Sequence, residues 1–374
     1  MRVVIAPDKY KGTASARVVA EAMGRGVVRA WPDADVALVP MADGGEGTVE
    51  ALVSALGGRT TRHRVTGPLG APVQGFTAQL SDGRVVLEMA SSSGLALVPD
   101  HERDPLLATS YGTGELMLAA LRMSPAQVLV GLGGSASTDG GSGAARAAGW
   151  RFLDARGNDL PPGGGALGSL RRIDDAGVLE EMKGARIQGV TDVGSPLLGP
   201  RGAAAVFGPQ KGASATEIEV LEKGLATLSS RIHTDLGKDV AVTPGAGAAG
   251  GMGAGLIAFF DAHLVGGFET VAEAANLKGA LRTADLVITG EGHLDRQSLG
   301  GKVPIGVARL ARDAGVECLA VCGRVSVPAP DLASHGISRA LGLEDELGAE
   351  QARAHAAASI AEVTARLLAS HRGM

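Results

Sequence analysis

The sequence contains few cysteines, few aromatic side chains and no long apolar segment. Only two of its 374 residues are cysteine, and 3% are aromatic. Cys318 and Cys322 lie in one short apolar run and lack the additional His and Cys residues that zinc sites require. We therefore expect both to be reduced thiols in a buried strand, without a sulfur-bound metal.

The lack of a long apolar segment excludes a membrane-spanning helix, which needs about 20 consecutive apolar residues. The chain opens on the strand-like segment RVVIA, without the apolar region of a signal peptide, so we expect a cytoplasmic location. The formal net charge of −5 argues against nucleic acid as the main ligand, since binding its phosphates needs a concentrated basic face.

Glycine is abundant, and its 57 residues cluster between short apolar runs. Near the two ends of the chain, five such runs alternate with helical patterns, which predicts an open parallel sheet with right-handed crossovers. The five runs are 2–6, 36–40, 285–289, 317–321 and 337–341. A long final helix is predicted over 351–370, where alanine is frequent.

The middle of the chain has a different pattern. A hairpin is predicted across 73–89, and a helix across 215–236 begins with Ser214 and Glu217 at the spacing of a capping box. Because the chain is longer than a single core supports, we predict an α/β protein of two domains. A parallel-sheet domain of residues 1–62 and 280–374 is interrupted by an inserted α/β domain of residues 63–279.

The first two strands are followed by loops with charged residues. The first loop, PDKYKGTAS, contains Asp8 and Lys11 just before a helix, where the exposed N–H groups favour an anion. The second loop, MADGGEGT, places Asp43 before glycines that let the backbone approach a ligand. Each loop is also compatible with ordinary turn and helix-cap chemistry.

A third loop, GLGGSASTDGG, follows an apolar strand in the middle of the chain. Its glycine N–H groups and hydroxyls predict an anion-binding loop formed by Gly133, Gly134, Ser135, Ser137 and Asp139. A Walker motif is absent from the sequence. The segment GAGAAG at 245–250 matches G-x-G-x-x-G, but a proline precedes it and it lies far from the first strand, so a glycine-rich helix entry is the better interpretation.

Two further acids, Asp192 and Asp295, follow predicted strands, and Asp295 lies in the segment GEGHLD after Gly290 and Glu291. Carboxylates at strand ends suit Mg²⁺, which takes one or two of them together with substrate phosphates. Each could instead be a helix cap. Four such acids at four strand ends, counting Asp8 and Asp43, favour a site.

Seven segments, taken together and in order, resemble the type I glycerate kinase family over essentially the whole chain. They are APDKYKGT, PMADGGEGT, YGTGEL, GGSASTDGG, FGPQKGA, PGAGAAGGMGAG and TGEGHLD. The resemblance implies an ATP- and Mg²⁺-dependent kinase acting on D-glycerate, with the 2-phosphate as the usual product. It also implies a flavodoxin-like or Rossmann-like domain interrupted by a larger domain of restriction-endonuclease-like topology.

Loop position and charge then suggest roles for individual residues in a cleft between the two domains. The expected catalytic residues are Lys11, Asp43, Asp192 and Asp295, of which Asp192 and Asp295 would hold Mg²⁺. The expected ATP contacts are Gly133, Gly134, Ser135, Ser137, Asp139, Gly290 and Glu291, and the expected glycerate contacts are Asp8, Lys11, Ser92 and Ser93.

Lys9 is expected to be solvated and without a role. A monomer or a homodimer is expected. The open alternatives are a non-catalytic nucleotide- or phosphosugar-binding module, a kinase that forms 3-phosphoglycerate, and a dehydrogenase that uses the GAGAAG segment.

Overall fold

Short apolar runs and amphipathic stretches alternate along the chain, and the computed structural model describes residues 1–371 of it. The described residues form two units. The first unit contains Met1–Asp43, Glu50–Leu56 and the chain from Gly267 onward, and the second contains Gly44–Val49 and Gly57–Gly266. Residues 372–374, which the predicted domain 280–374 includes, lie outside the described residues.

The strands of the described chain are β1 Arg2–Ile5, β2 Asp35–Leu38, β3 Gly58–Thr66, β4 Pro72–Leu80, β5 Val85–Glu88, β6 Val128–Gly131, β7 Arg151–Leu153, β8 Arg172–Asp174, β9 Ile187–Val190, β10 His263–Val265, β11 Leu286–Thr289, β12 His293–Leu294, β13 Glu317–Cys322, β14 Arg324–Val325 and β15 Arg339–Gly342.

The α-helices are α1 Ala16–Ala30, α2 Thr48–Leu56, α3 Ala90–Ser93, α4 Tyr111–Leu121, α5 Ser142–Ala147, α6 Ala203–Phe207, α7 Ala215–Leu236, α8 Ala248–Phe260, α9 Gly267–Ala274, α10 Leu277–Leu281, α11 Val303–Asp313, α12 Ala329–Ser334, α13 Leu343–Leu347, α14 Ala349–Ala354 and α15 Ala356–His371. No helix within residues 1–371 is long and apolar enough to cross a membrane.

The first unit is built on a five-stranded sheet in the order β15-β13-β11-β1-β2, and every pair in it is parallel. The five predicted runs thus form the predicted parallel sheet. Strands β1 and β11 are almost wholly apolar because both faces of such a sheet are covered. On one face, Val3 and Ile5 share a core with residues of α1 and α15.

The second unit contains a six-stranded mixed sheet in the order β10-β9-β6-β5-β4-β3. Strands β5, β6, β9 and β10 are parallel, whereas β3, β4 and β5 pair antiparallel and include the predicted hairpin. Its core is separate and is formed largely by α4, α7, α8 and the sheet. The protein is therefore α/β in both units.

The unit boundaries lie earlier in the chain than the predicted 63 and 279. Strand β3 pairs with β4 along its whole length, from Gly58 opposite Leu80, so residues before 63 already belong to the second unit. Helix α9 belongs to the first unit because the Phe268 ring packs against Gly306 of α11.

The single helix predicted over 351–370 is wrong, because the structure divides it at His355 into α14 and α15. Ala352 and Ile360 are both buried in the core of the first unit. Both segments therefore pack on the same core, on either side of the break.

Cys318 and Cys322 are confirmed as buried free thiols in strand β13. Burial in apolar surroundings raises the pKa of both. The two thiols therefore stay protonated at neutral pH and contribute as small apolar side chains.

Helix α7 begins with the predicted capping box. The Ser214 hydroxyl accepts the Glu217 N–H, and the Glu217 carboxylate accepts the Ser214 N–H at 2.8 Å. Replacing Ser214 by alanine should lower the free energy of unfolding by about 1 kcal/mol. Ser230→Ala, at an exposed position of the same helix, is the control and should change it by less than about 0.5 kcal/mol. Chemical denaturation of both variants measures this, and equal effects would contradict the capping role.

Candidate functional site

Three loops at the carboxyl ends of β1, β11 and β13 are bonded to one another in the first unit. The Asp8 N–H donates to the Gly290 carbonyl at 2.8 Å, and the Tyr10 hydroxyl donates to the Val321 carbonyl at 2.6 Å. The Gly323 N–H donates to the Glu291 carbonyl at 3.0 Å. The order of the sheet reverses between β1 and β11, which is where open parallel sheets bind ligands.

Glycines permit this close approach. A Cβ atom on Gly290 would lie 1.8 Å from the Val321 carbonyl oxygen, and one on Gly323 would lie 2.4 Å from the Gly292 carbonyl oxygen. Any side chain at these two positions would force the loops apart. The glycines of the GEG segment are therefore needed to pack the loops, whatever ligand they meet.

A cavity of about 480 Å³ opens beside these loops, and its walls are highly charged. Its acidic lining residues are Asp8, Asp43, Glu291, Asp295 and Glu344, and its basic lining residues are Lys9, Lys11, Lys302, Arg324 and Arg353. The structure thus brings together five of the residues proposed from the sequence, namely Asp8, Lys11, Asp43, Glu291 and Asp295.

Lys9 lies between two of these acids, so the expectation that it is solvated is wrong. Its ammonium is 3.5 Å from the carboxylates of both Asp8 and Asp43, and its side chain is only 16% exposed. Burial raises the pKa of Asp8 to about 6, against the opposing effect of Lys9. This pairing could not be predicted from the sequence because Asp43 comes from a different loop.

Three cations of the cavity are not paired with acids. Lys11, Lys302 and Arg324 form no ion pair within residues 1–371, whereas Arg353 pairs with Glu344 at 3.1 Å. Lys11 and Arg324 are exposed, and Lys302 is half-buried. Unpaired cations around a cavity raise the local concentration of anions, so this cavity suits an anionic ligand.

Glu291 is the most deeply buried acid of the cavity after Asp8, with 7% of its surface exposed. Its Oε1 atom is buried and has no hydrogen-bond partner within the described chain. Burial raises the pKa of Glu291 to about 7, while Ser298 and Lys302 act in the opposite direction.

Asp295 caps a short turn, which agrees with the alternative that this acid is a helix cap. Its Oδ1 accepts the N–H groups of Gln297 at 2.8 Å and of Ser298 at 3.0 Å. Burial acts to raise the pKa of Asp295, but these hydrogen bonds and Lys302 outweigh it, so the pKa is lowered. The carboxylate stays ionised and has its second oxygen available for a ligand.

The predicted anion loop of the second unit turns most of its polar groups inward. Ser135 and Ser137 are buried, and Asp139 is fully buried. The Asp139 carboxylate accepts the N–H and the hydroxyl of Ser110, both at 2.8 Å, and the Gly143 N–H at 3.1 Å. These contacts give Asp139 a loop-positioning role, while Gly133 and Gly134 remain accessible.

Lys211, from the FGPQKGA segment, completes this buried network and was not proposed from the sequence. Its ammonium donates to the Ser135 hydroxyl at 2.9 Å, to the Ser137 carbonyl and to the Thr138 hydroxyl at 3.5 Å. Burial lowers the pKa of Lys211 to about 7, against the opposing effect of Asp139.

The other residues proposed in the second unit have more varied surroundings. Ser92 and Ser93 are fully buried, and both hydroxyls are hydrogen-bonded to Thr113. Asp192 is half-buried and follows the end of β9.

The GAGAAG segment packs against the loop that contains Ser137, and it lacks the features of a dinucleotide fold. Ala249, Gly250 and Gly251 have left-handed backbone conformations, and a Cβ atom on Gly250 would lie 2.0 Å from the Ser137 carbonyl oxygen. No strand lies between α7 and α8 to precede the motif. This arrangement argues against the dehydrogenase alternative.

The part of the chain that the structure describes holds no group of three or more His, Cys, Asp and Glu side chains arranged for a metal ion. Mg²⁺ bound with a nucleotide needs only one or two carboxylates, since phosphate oxygens and waters supply its other ligands. The second oxygen of Asp295 meets that requirement. The donor set of the cavity therefore fits a phosphate-bound Mg²⁺ and does not form a cage for a free ion.

Comparison with known proteins identifies related chains. The model of the Glycerate kinase family matches residues 3–372. A glycerate kinase of Bacillus subtilis (strain 168) is 45% identical over 90% of this chain and 88% of its own. A glycerate 2-kinase of Escherichia coli (strain K12) is 45% identical over 93% and 92% of the two chains. A crystal structure of a protein assigned as glycerate kinase 2 from Salmonella typhimurium LT2 has a TM-score of 0.83 at 43% identity, covering 100% of this chain and 98% of that one.

Replacing Lys9 by methionine should destabilise the protein more at about pH 8 than at about pH 5. The pKa of Asp8 is raised to about 6, so Asp8 is largely protonated at pH 5 and needs a cation only as the pH rises through that value. At pH 8, the midpoint of thermal unfolding of Lys9→Met should lie about 2–4 °C below that of the wild type. Lys11→Met is the control and should leave the midpoint unchanged, because Lys11 is exposed and has no ion pair in the described structure. Equal losses at the two pH values would contradict the Asp8 pairing.

Proposed function

The chain belongs to the glycerate kinase family, and we propose that it transfers the γ-phosphoryl group of ATP to the 2-hydroxyl of D-glycerate with the help of Mg²⁺. The family match over residues 3–372 supports the reaction class, and a relative named as a glycerate 2-kinase supports the choice of hydroxyl. The structural observation that carries the proposal is the cavity at the strand ends of the first unit, where three cations form no ion pair within residues 1–371.

The cations of this cavity match the charge of the proposed substrates. D-glycerate has a carboxylate, and the transferring phosphoryl group is also anionic. Lys11 and Lys302 can pair with such anions, which favours positioning and charge neutralisation as the source of catalysis. Asp8 and Asp43 lie beside Lys9 in the same cavity, and their carboxylates are the groups that would accept hydrogen bonds from the hydroxyls of glycerate.

Mg²⁺ would be held by Asp295 through its second carboxylate oxygen, and Asp192 stays the other proposed ligand. When bound, the ion would neutralise charge on the phosphate oxygens. Gly133 and Gly134 stay proposed ATP contacts because their backbone is accessible. The predicted binding of both substrates in a cleft between the domains stays a prediction.

We also infer a finer fold assignment. Counted within the first unit, its strands have the order 2-1-3-4-5, which is that of flavodoxin-like sheets. The second unit is then the inserted domain, for which restriction-endonuclease-like topology is proposed. Its mixed sheet of parallel and antiparallel strands agrees with this assignment.

Incubation of the purified protein with ATP, MgCl₂ and D-glycerate should release ADP and form 2-phosphoglycerate, which phosphorus NMR distinguishes from the 3-phosphate. Omission of glycerate is the control and should abolish ADP release. Formation of 3-phosphoglycerate would contradict the proposed acceptor hydroxyl. ATP binding without any turnover of glycerate would contradict the kinase proposal and favour a non-catalytic module.

Lys11→Met should reduce kcat/KM for glycerate by roughly 10- to 100-fold, since it removes a cation that would pair with a substrate anion. A loss confined to the KM for glycerate indicates a contact with its carboxylate, whereas a parallel fall in kcat indicates a contact with the transferring phosphoryl group. Lys223→Met, on the exposed surface of α7, is the matched control. Unchanged kcat/KM for glycerate in Lys11→Met would remove Lys11 from the site.

A further inference from the structure

The backbone of Glu291 is fixed on both sides. Gly290 lies against the Val321 carbonyl, and the Glu291 carbonyl accepts the Gly323 N–H at 3.0 Å. On the other side, a Cβ atom on Gly292 would lie 3.2 Å from the Lys11 backbone nitrogen. The origin of the Glu291 side chain is therefore held by loops after three neighbouring strands.

The Glu291 side chain lines the charged cavity, yet one of its oxygens has no partner. Oε1 is buried and forms no hydrogen bond within residues 1–371. A buried carboxylate oxygen is costly to leave without a donor, and folded proteins nearly always provide one. The missing donor at this position points to a proton or to a ligand hydroxyl that supplies it.

The charged groups around Glu291 come from several elements. Lys302, at the start of α11, favours the ionised form, as does the Ser298 hydroxyl. Asp8 and Asp295 disfavour it, and the buried Tyr10 and Cys322 lie close by. The balance leaves the pKa of Glu291 at about 7, mainly because of burial. A general base near neutral pKa can both accept and release a proton at physiological pH.

We propose that Glu291 is the general base of the phosphoryl transfer, an inference that rests on the proposed function. The substrate O–H bond breaks and its proton passes to the carboxylate of Glu291. The hydroxyl oxygen forms the new bond to the γ-phosphorus of ATP, whose bond to the bridging oxygen breaks to release ADP. Glu291 then returns its proton to water. This role replaces the ATP contact that the sequence suggested for Glu291.

The other acids of the cavity are less suited to this step. The Oδ1 atom of Asp295 accepts two backbone N–H groups, and its pKa is lowered, so it is a weak proton acceptor. Asp8 accepts both the N–H and the ammonium of Lys9 through Oδ1. Among these three acids, only Glu291 has a buried carboxylate oxygen without a donor within the described residues.

Glu291→Gln tests the role, because the amide keeps the shape but cannot accept the proton. We expect kcat to fall by ~10²–10⁴, with KM values for ATP and glycerate within about threefold of the wild type. In the wild type, kcat should fall at acid pH as Glu291 becomes protonated, since burial raises the pKa of this carboxyl. This acid limb should disappear in Glu291→Gln and persist, at a lower kcat, in Glu291→Asp, which retains a carboxylate.

Glu219→Gln makes the same change at an exposed position of α7 and should leave both kcat and the pH profile unchanged. At about pH 8, the midpoint temperature of thermal unfolding of Glu291→Gln should be no lower than that of the wild type, since a buried charge is removed. A kcat within about threefold of the wild type, or an acid limb that survives in Glu291→Gln, would overturn the proposal. Failure of the wild type to phosphorylate glycerate would instead overturn the proposed function, and this inference with it.

Discussion

The charged cavity depends on the contact between two backbone segments, in which Gly290 lies directly against the Val321 carbonyl. This approach aligns the loops after β11 and β13, and the hydrogen bond from Asp8 to the Gly290 carbonyl adds the loop after β1. Acidic and basic side chains from three loops can then line one cavity. A side chain at residue 290 would separate the loops and disperse the charges, so a glycine without any chemistry of its own sets the geometry of the site.

Placing so many charges in a partly dry cavity has a desolvation cost. The structure offsets this cost for some of the charged groups and not for others. Lys9 compensates Asp8 and Asp43, and backbone N–H groups compensate Asp295. Within the described residues, one buried oxygen of Glu291 lacks a donor, and the exposed Lys11 and Arg324 form no ion pair. A ligand gains most binding free energy from groups that still lack partners. The presence or absence of a partner therefore separates the structural charges of the cavity from its functional ones.

The sheet and part of the site could be predicted because both follow from local patterns. Apolar runs alternating with helices indicate parallel strands, and the carboxyl ends of such strands share one edge, which predicts that their acids meet. Asp8, Asp43 and Asp295 line one cavity, whereas Asp192, the fourth acid of that prediction, belongs to the second unit. The pairing of Lys9 and the burial of Glu291 could not be predicted, since both depend on loops distant in sequence. The burial of Ser135 and Ser137 could not be predicted for another reason. A ligand-binding loop and a buried turn have the same composition of glycine and hydroxyl residues.

Lys211 and Glu291 show how hydrogen bonding distinguishes architecture from chemistry. Burial moves the pKa of each to about 7, so the pKa values alone would assign both to function. The three N–H groups of the Lys211 ammonium have three acceptors in Ser135, Ser137 and Thr138. Its charge is therefore satisfied by the fold, and it holds a loop in place. Glu291 has a buried oxygen with no donor within the described residues, and a proton or a ligand hydroxyl can complete it. A perturbed pKa marks a reactive group when the protein has left a bond of that group unmade.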